Sequence, residues 1–222
     1  MLSVGITTVG EFHYVHHSNK ASSDGFFDLD MAVIEAACEV GIRLVLIETL
    51  YMRAGLVLIE TLYMRAGFSQ SEINPEQWRF SSATVEQFIE RVEDLREKLK
   101  NNDLVTLALA VHSLRAVPIP EAIKLYKYAR QNNLPLHLHL EEQPAELDDC
   151  RLVNEGKDPA EVLLQNILEN GETEEIDNSL ITAVHCTHTK RSNLDEFVKR
   201  KINVCICPCT EGYLGDGIPN LS

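Results

Sequence analysis

Two rhythms of apolar and polar positions alternate along the chain. Segments of alternating or continuous apolar residues at 4–12, 42–50, 104–111, 135–143, 180–185 and 204–207 read as strands. Between them lie stripes of helical period. One spans Asp28 to Val40, with Met31, Val33, Ile34, Ala37 and Cys38 on one face, and Gly41 is placed to stop it. Another spans 82–100, with Val85, Phe88, Ile89, Val92 and Leu95 on one face and a capping box from Thr84 and Gln87. Shorter helices fit 120–132, 158–168 and 193–201. The run at 42–50 is apolar throughout, as in a parallel strand covered on both faces. Six strands alternating with five helices predict parallel βα units with the helices outside the sheet.

The segment PLHLHLEEQ at 135–143 carries the most chemistry. Successive strand side chains point to opposite faces, so His137 and His139 share one and Leu136, Leu138 and Leu140 the other. His139 and Glu142 stand three apart at the strand's end, where a carboxylate can swing back over an imidazole. A metal ligand beside an acid/base carboxylate needs this arrangement. A half-buried strand with hydrogen-bonded core histidines would look the same. The rest of the chain favours the functional reading, because polar residues recur just after the strands: His13 and Tyr14, His112 and Arg115, His139 and Glu142, His185, and Glu211. In a (β/α)8 barrel that face holds the active site. His188 reads as a packing residue, and Asp216 in LGDG as a turn residue.

The stretch LVLIETLYMRAG at 44–55 recurs unchanged at 56–67. A structural repeat would be longer and diverged. Only one copy can fill the strand after Gly41; the first is expected there, with the second in the following loop, and the opposite choice, in which the first copy extends the preceding helix, stays open. With 222 residues, 45% hydrophobic and 24% charged, the chain suits a soluble globular domain. A net charge of −14 without a basic patch excludes nucleic acid and anionic membrane as partners. No apolar run approaches the roughly 20 residues of a membrane helix, and the start, MLSVGITTVGEF, reads as a strand, which favours a cytoplasmic protein with reduced thiols. The alternating Cys205, Cys207 and Cys209 then read as a buried strand, and their spacing is not that of a zinc site.

The motifs EFHYVHH at 11–17, HSLRAV at 112–117, HLHLEEQPAEL at 137–147, VHCTH at 184–188 and CPCTEGYLGDG at 207–217 give the chain a family likeness. It resembles the metal-dependent amidohydrolase superfamily, and within it the formimidoylglutamate deiminases of histidine degradation. The resemblance implies a partial (β/α)8 TIM barrel over 1–222, with strands matching the second to seventh of the eight. It implies a Zn2+ ion held by His139, a proton shuttle at Glu142, and His185 polarising or positioning the hydrolytic water. Arg115 resembles the residue that holds a substrate carboxylate, and Tyr14 and His112 resemble substrate-pocket residues. The implied reaction converts N-formimidoyl-L-glutamate to N-formyl-L-glutamate and ammonia. Zinc would lower the pKa of its water towards 7, and a guanidinium matches a carboxylate with parallel hydrogen bonds.

The family pattern also has a His–x–His pair after the first strand and an aspartate after the eighth, and neither is in these residues. One or two of the usual metal contacts remain, too few for tight zinc binding. The expectation is an incomplete copy that is inactive as it stands. Six of eight strands would also leave two open edges that invite pairing, with a second copy in a homo-oligomer or with another chain. Two alternatives stay open: a guanine- or cytosine-type aminohydrolase, for which Arg115 has no carboxylate to clamp, and a non-catalytic remnant acting as a binding partner.

Overall fold

Six parallel strands stand side by side in chain order in the computed structural model, which describes residues 1–13, 28–50, 68, 84–168 and 177–220. They are β1 (Thr8–His13), β2 (Arg43–Leu50), β3 (Val105–Val111), β4 (Leu136–Leu140), β5 (Ile181–His185) and β6 (Asn203–Cys205). Helix α1 (Asp28–Val40) joins β1 to β2, α2 (Val85–Leu99) precedes β3, and α3 (Ile119–Gln131) precedes β4. After β4 come α4 (Pro144–Val153) and α5 (Pro159–Val162), the latter continuing as a wider π-helical stretch at Leu163–Leu168. Helix α6 (Arg191–Lys199) leads to β6, and α7 (Pro208–Leu214) follows it. Parallel neighbours with helices between them curl the sheet into part of a (β/α)8 barrel with the helices outside.

Strand alternation sorts the side chains into two layers. Outward-facing Leu44, Leu46 and Leu107 pack with Ile34 and Ala37 of α1 and Leu95 and Leu99 of α2. Further along the sheet Leu109, Leu136, Leu138, Leu140, Ile181 and Ala183 join Phe88, Leu125, Tyr126 and Phe197 from the helices. Each such leucine contributes about 1.5–3 kcal/mol by leaving water. The inward layer is thinner: Val45, Ile47, Ala108 and Ala110 leave room for Phe12. The Phe12 ring meets His137 edge-on at 5.6 Å and His139 at 4.9 Å.

The long stripes matched their helices closely, and α1 has the predicted bounds. Gly41 ends it with φ of 72°, where a Cβ would be strained. Thr84 caps α2 by accepting from the Gln87 N–H at 3.1 Å, one half of the expected box. The first repeat copy supplies 44–50 of β2, and the second copy lies outside the described residues.

Other expectations need correction. The first strand begins only at Thr8, because Leu2–Val4 is a 3-10 turn ended by Gly5. Helices α4 and α7 form in stretches to which the sequence pattern assigned no element. Pro144 and Pro208 open them, at the position where a missing N–H costs nothing. The cysteine stretch is no buried strand: β6 is short, and Cys205 and Cys209 are exposed. His13 faces the helices rather than the strand ends. It sits 3.4 Å from Asp30 of α1, which accepts from Arg91 of α2 at 2.7 Å.

Candidate active site

Two corners at the C-terminal ends of β4 and β5 build the site. Along β4, alternation puts His137 and His139 inside and would put Glu141 there next. Glu141 instead has φ of 51°, a left-handed conformation uncommon for a residue with a side chain. The corner reverses the order: Glu142 enters the barrel mouth, and Glu141 goes to the helix side, where it accepts from the Ala160 N–H at 2.8 Å. The same happens on β5. His185 has the parity of outward Ile181 and Ala183, yet with φ of 77° its ring stacks against inward His139, centroids 5.5 Å apart. Strain of this kind persists only where surrounding contacts impose it, and it gathers at functional sites.

The side chains so placed form one buried chain of polar contacts. Glu211 accepts from His185 Nδ1 at 3.2 Å and from the Cys207 N–H at 2.9 Å. On its other side His185 Nε2 lies 3.4 Å from Glu142 Oε1. Glu142 Oε2 accepts from Arg115 Nη2 at 3.0 Å, and Arg115 Nη1 lies 3.7 Å from Glu146 Oε2. Glu146 also accepts from the Glu142 N–H at 3.1 Å. His185, Glu142 and Glu211 are only 4%, 3% and 3% exposed.

His139 adjoins this chain. The His112 carbonyl accepts both its backbone N–H, at 2.9 Å, and its Nδ1, at 2.8 Å. That bond places the proton on Nδ1 and leaves Nε2 as an acceptor. Burial, with His185 nearby, lowers the His139 pKa to about 4, so the ring is neutral at pH 7. Burial, reinforced by His139 and Arg115, holds His112 well below the usual histidine value, and its Nδ1 contacts Ser113 Oγ at 3.0 Å. A neutral imidazole with its other nitrogen tied to a carbonyl suits a metal ligand. His139 therefore fits the implied zinc. A three-donor set around it is not formed among the described residues, where the one such group is His185, Cys207 and Glu211.

Of the residues singled out from sequence, the structure brings together His112, Arg115, His139, Glu142 and His185, while Tyr14 lies outside the described residues. Arg115 is buried between two carboxylates. Asp216 follows Gly215, the residue that ends α7, and it is buried, with its carboxyl pushed up by that burial. Sequence reasoning gave no role to Glu146, although it lies one helical turn beyond Glu142. It grouped Glu211 with the strand-end residues without seeing that it would hold His185.

Residues 1–222 match the Amidohydrolase family. The formimidoylglutamate deiminase of Pseudomonas aeruginosa is 33% identical over 220 residues, 98% of this chain and 43% of that protein. A 5-methylthioadenosine/S-adenosylhomocysteine deaminase of Thermodesulfovibrio yellowstonii is 28% identical over 138 residues, 62% of this chain and 29% of that one. Among solved structures, an amidohydrolase from Brucella melitensis superposes with a TM-score of 0.82 at 29% identity, covering 100% of this chain and 44% of that one. The chain thus spans less than half the length of these relatives. Matched from its first residue to its last, it belongs to the Amidohydrolase family.

Proposed function

We propose that these residues form part of a deiminase site that hydrolyses N-formimidoyl-L-glutamate to N-formyl-L-glutamate and ammonia. The observation that carries the reading is the buried Glu142, flanked by His185 and Arg115 and adjoining the neutral His139. The likeness to the P. aeruginosa deiminase supports the substrate. Zinc, when bound, would supply a water of lowered pKa, and His139 Nε2 would hold it. Glu142 takes a proton from the attacking water and returns it to the departing nitrogen, so that water adds to the amidine carbon and ammonia leaves. Glu211 keeps the Nδ1 proton on His185, which turns Nε2 towards Glu142 and the water. Neutral His112 can hydrogen-bond substrate without adding a charge. Arg115 would share its N–H donors between Glu142 and a substrate carboxylate. With one ligand at His139, the 222 residues are proposed to bind substrate and to be inactive alone, in the cytoplasm and open to pairing with a further copy.

One observation favours a second reading. Arg115 is already met by two carboxylates, which suits a neutral base as substrate, as in guanine- or cytosine-type aminohydrolases. Calorimetry with the purified chain separates the two. N-formimidoyl-L-glutamate is expected to bind and guanine or cytosine not to. Arg115→Gln should weaken binding by roughly 10–100-fold, the loss of a hydrogen bond to a charged group. Binding of a neutral base, unaffected by Arg115→Gln, would establish the second reading. Binding of none of them by a folded chain would leave the non-catalytic one. Steady ammonia release by the chain alone would overturn its proposed inactivity.

A further inference from the structure

The corner between β6 and α7 brings three different donors to one point. An imidazole nitrogen of His185, the Cys207 sulfur and a Glu211 carboxylate oxygen all lie within 4.8 Å of one another. His185 arrives from the end of β5, and the other two from the start of α7, where Cys207 is the residue before Pro208 and Glu211 stands one turn on. His185 and Glu211 are buried, and Cys207 is half-buried. The set is also held in place. Glu211 Oε1 accepts from both His185 Nδ1 and the Cys207 backbone N–H, so carboxylate and imidazole need little rearrangement to share an ion.

We propose that His185, Cys207 and Glu211 form a thiolate-containing site for a soft or borderline divalent metal ion such as zinc, separate from the metal position implied at His139. Nitrogen, sulfur and oxygen donors in threes are a set that zinc accepts, and a thiolate biases the site away from magnesium and calcium. Its surroundings add to the attraction. Glu142 lies on the far side of His185, and Asp216 close by is affected by the Glu142 carboxylate. The nearest cation in the contact chain is Arg115, itself shared between Glu142 and Glu146. Binding releases the Cys207 thiol proton to solvent and moves the His185 proton from Nδ1 to Nε2, where the Glu142 carboxylate 3.4 Å away can take its hydrogen bond.

The inference does not rest on the proposed reaction, because its readout is metal binding. The reduced, metal-free chain is titrated with cobalt(II) chloride and followed by absorption. A thiolate-to-cobalt charge-transfer band is expected, and zinc chloride should displace it. Cys207→Ser should abolish the band and weaken cobalt binding by more than about 100-fold, beyond the roughly 10–100-fold that loss of an outer-shell partner costs. Cys209→Ser, at an exposed position outside the cluster, should leave the band intact and serves as the control for folding and for adventitious thiols. No band in the wild-type chain, or a band that survives Cys207→Ser unchanged, overturns the proposal.

Discussion

His185 is held between two carboxylates, and the one on its Nδ1 side decides which nitrogen carries the proton. Glu211 accepts at 3.2 Å from a nitrogen that is buried with it, so the Nδ1–H tautomer is favoured and Nε2 faces Glu142. Replacing Glu211 with leucine keeps comparable bulk and removes the acceptor. In Glu211→Leu, nitrogen-15 spectra of the imidazole should show the Nδ1–H preference lost, in a chain that remains folded by circular dichroism. An unchanged tautomer would mean that another group sets it. This contact was hidden in the sequence, whereas the pairing of His139 with Glu142 was visible. The latter depends on three residues of local chain at a strand end. The former joins residues 26 apart through a corner whose left-handed φ at His185 no pattern of apolar and polar positions encodes.

At the scale of elements, β4 shows why the strands were legible. Its leucines face the helices and its histidines face the barrel, so the alternation in the sequence is the alternation in the fold. Truncating one face should therefore cost far more than changing an exposed helix position. Leu138→Ala removes a side chain that is 2% exposed within the main core and should destabilise by about 2–5 kcal/mol. Val198→Ala, on an outward turn of α6 and 78% exposed, should stay within about 0.5 kcal/mol. Urea unfolding of both checks this, and equal losses would contradict the assignment of faces. Helices α4 and α7 escaped the same reading for a physical reason. α4 leaves Leu152 and Val153 in solvent, and α7 leaves Tyr213 and part of Leu214 there, so neither presents a clean apolar stripe. Their proline starts were the better signal.

Across the whole molecule, burial of titratable groups sets opposing limits on pH. His13, His112, His137 and His139 all have lowered pKa values, chiefly because burial disfavours the charged ring. The unfolded chain binds protons at these rings first, so their contribution is lost as pH falls below about 6.5. Glu141 works the other way. Burial raises it from 4.5 to about 7, with the Glu146 and Asp158 carboxylates adding to the rise. Between those values the folded state holds a proton that the unfolded state has released. Its contribution is complete below about pH 4.5 and disappears as pH rises through 7, after which a buried charge must be tolerated. Glu141→Gln keeps an oxygen for the Ala160 N–H and turns an amide towards the neighbouring carboxylates. Relative to wild type, the variant should gain stability between pH 5 and pH 8, by up to about 3 kcal/mol for a shift of this size. Urea unfolding at the two pH values measures the difference directly. If the gap between variant and wild type is the same at both, Glu141 does not carry its proton in the folded state, and the alkaline limit comes from Glu146 and Asp216, the other buried carboxyls that burial pushes up.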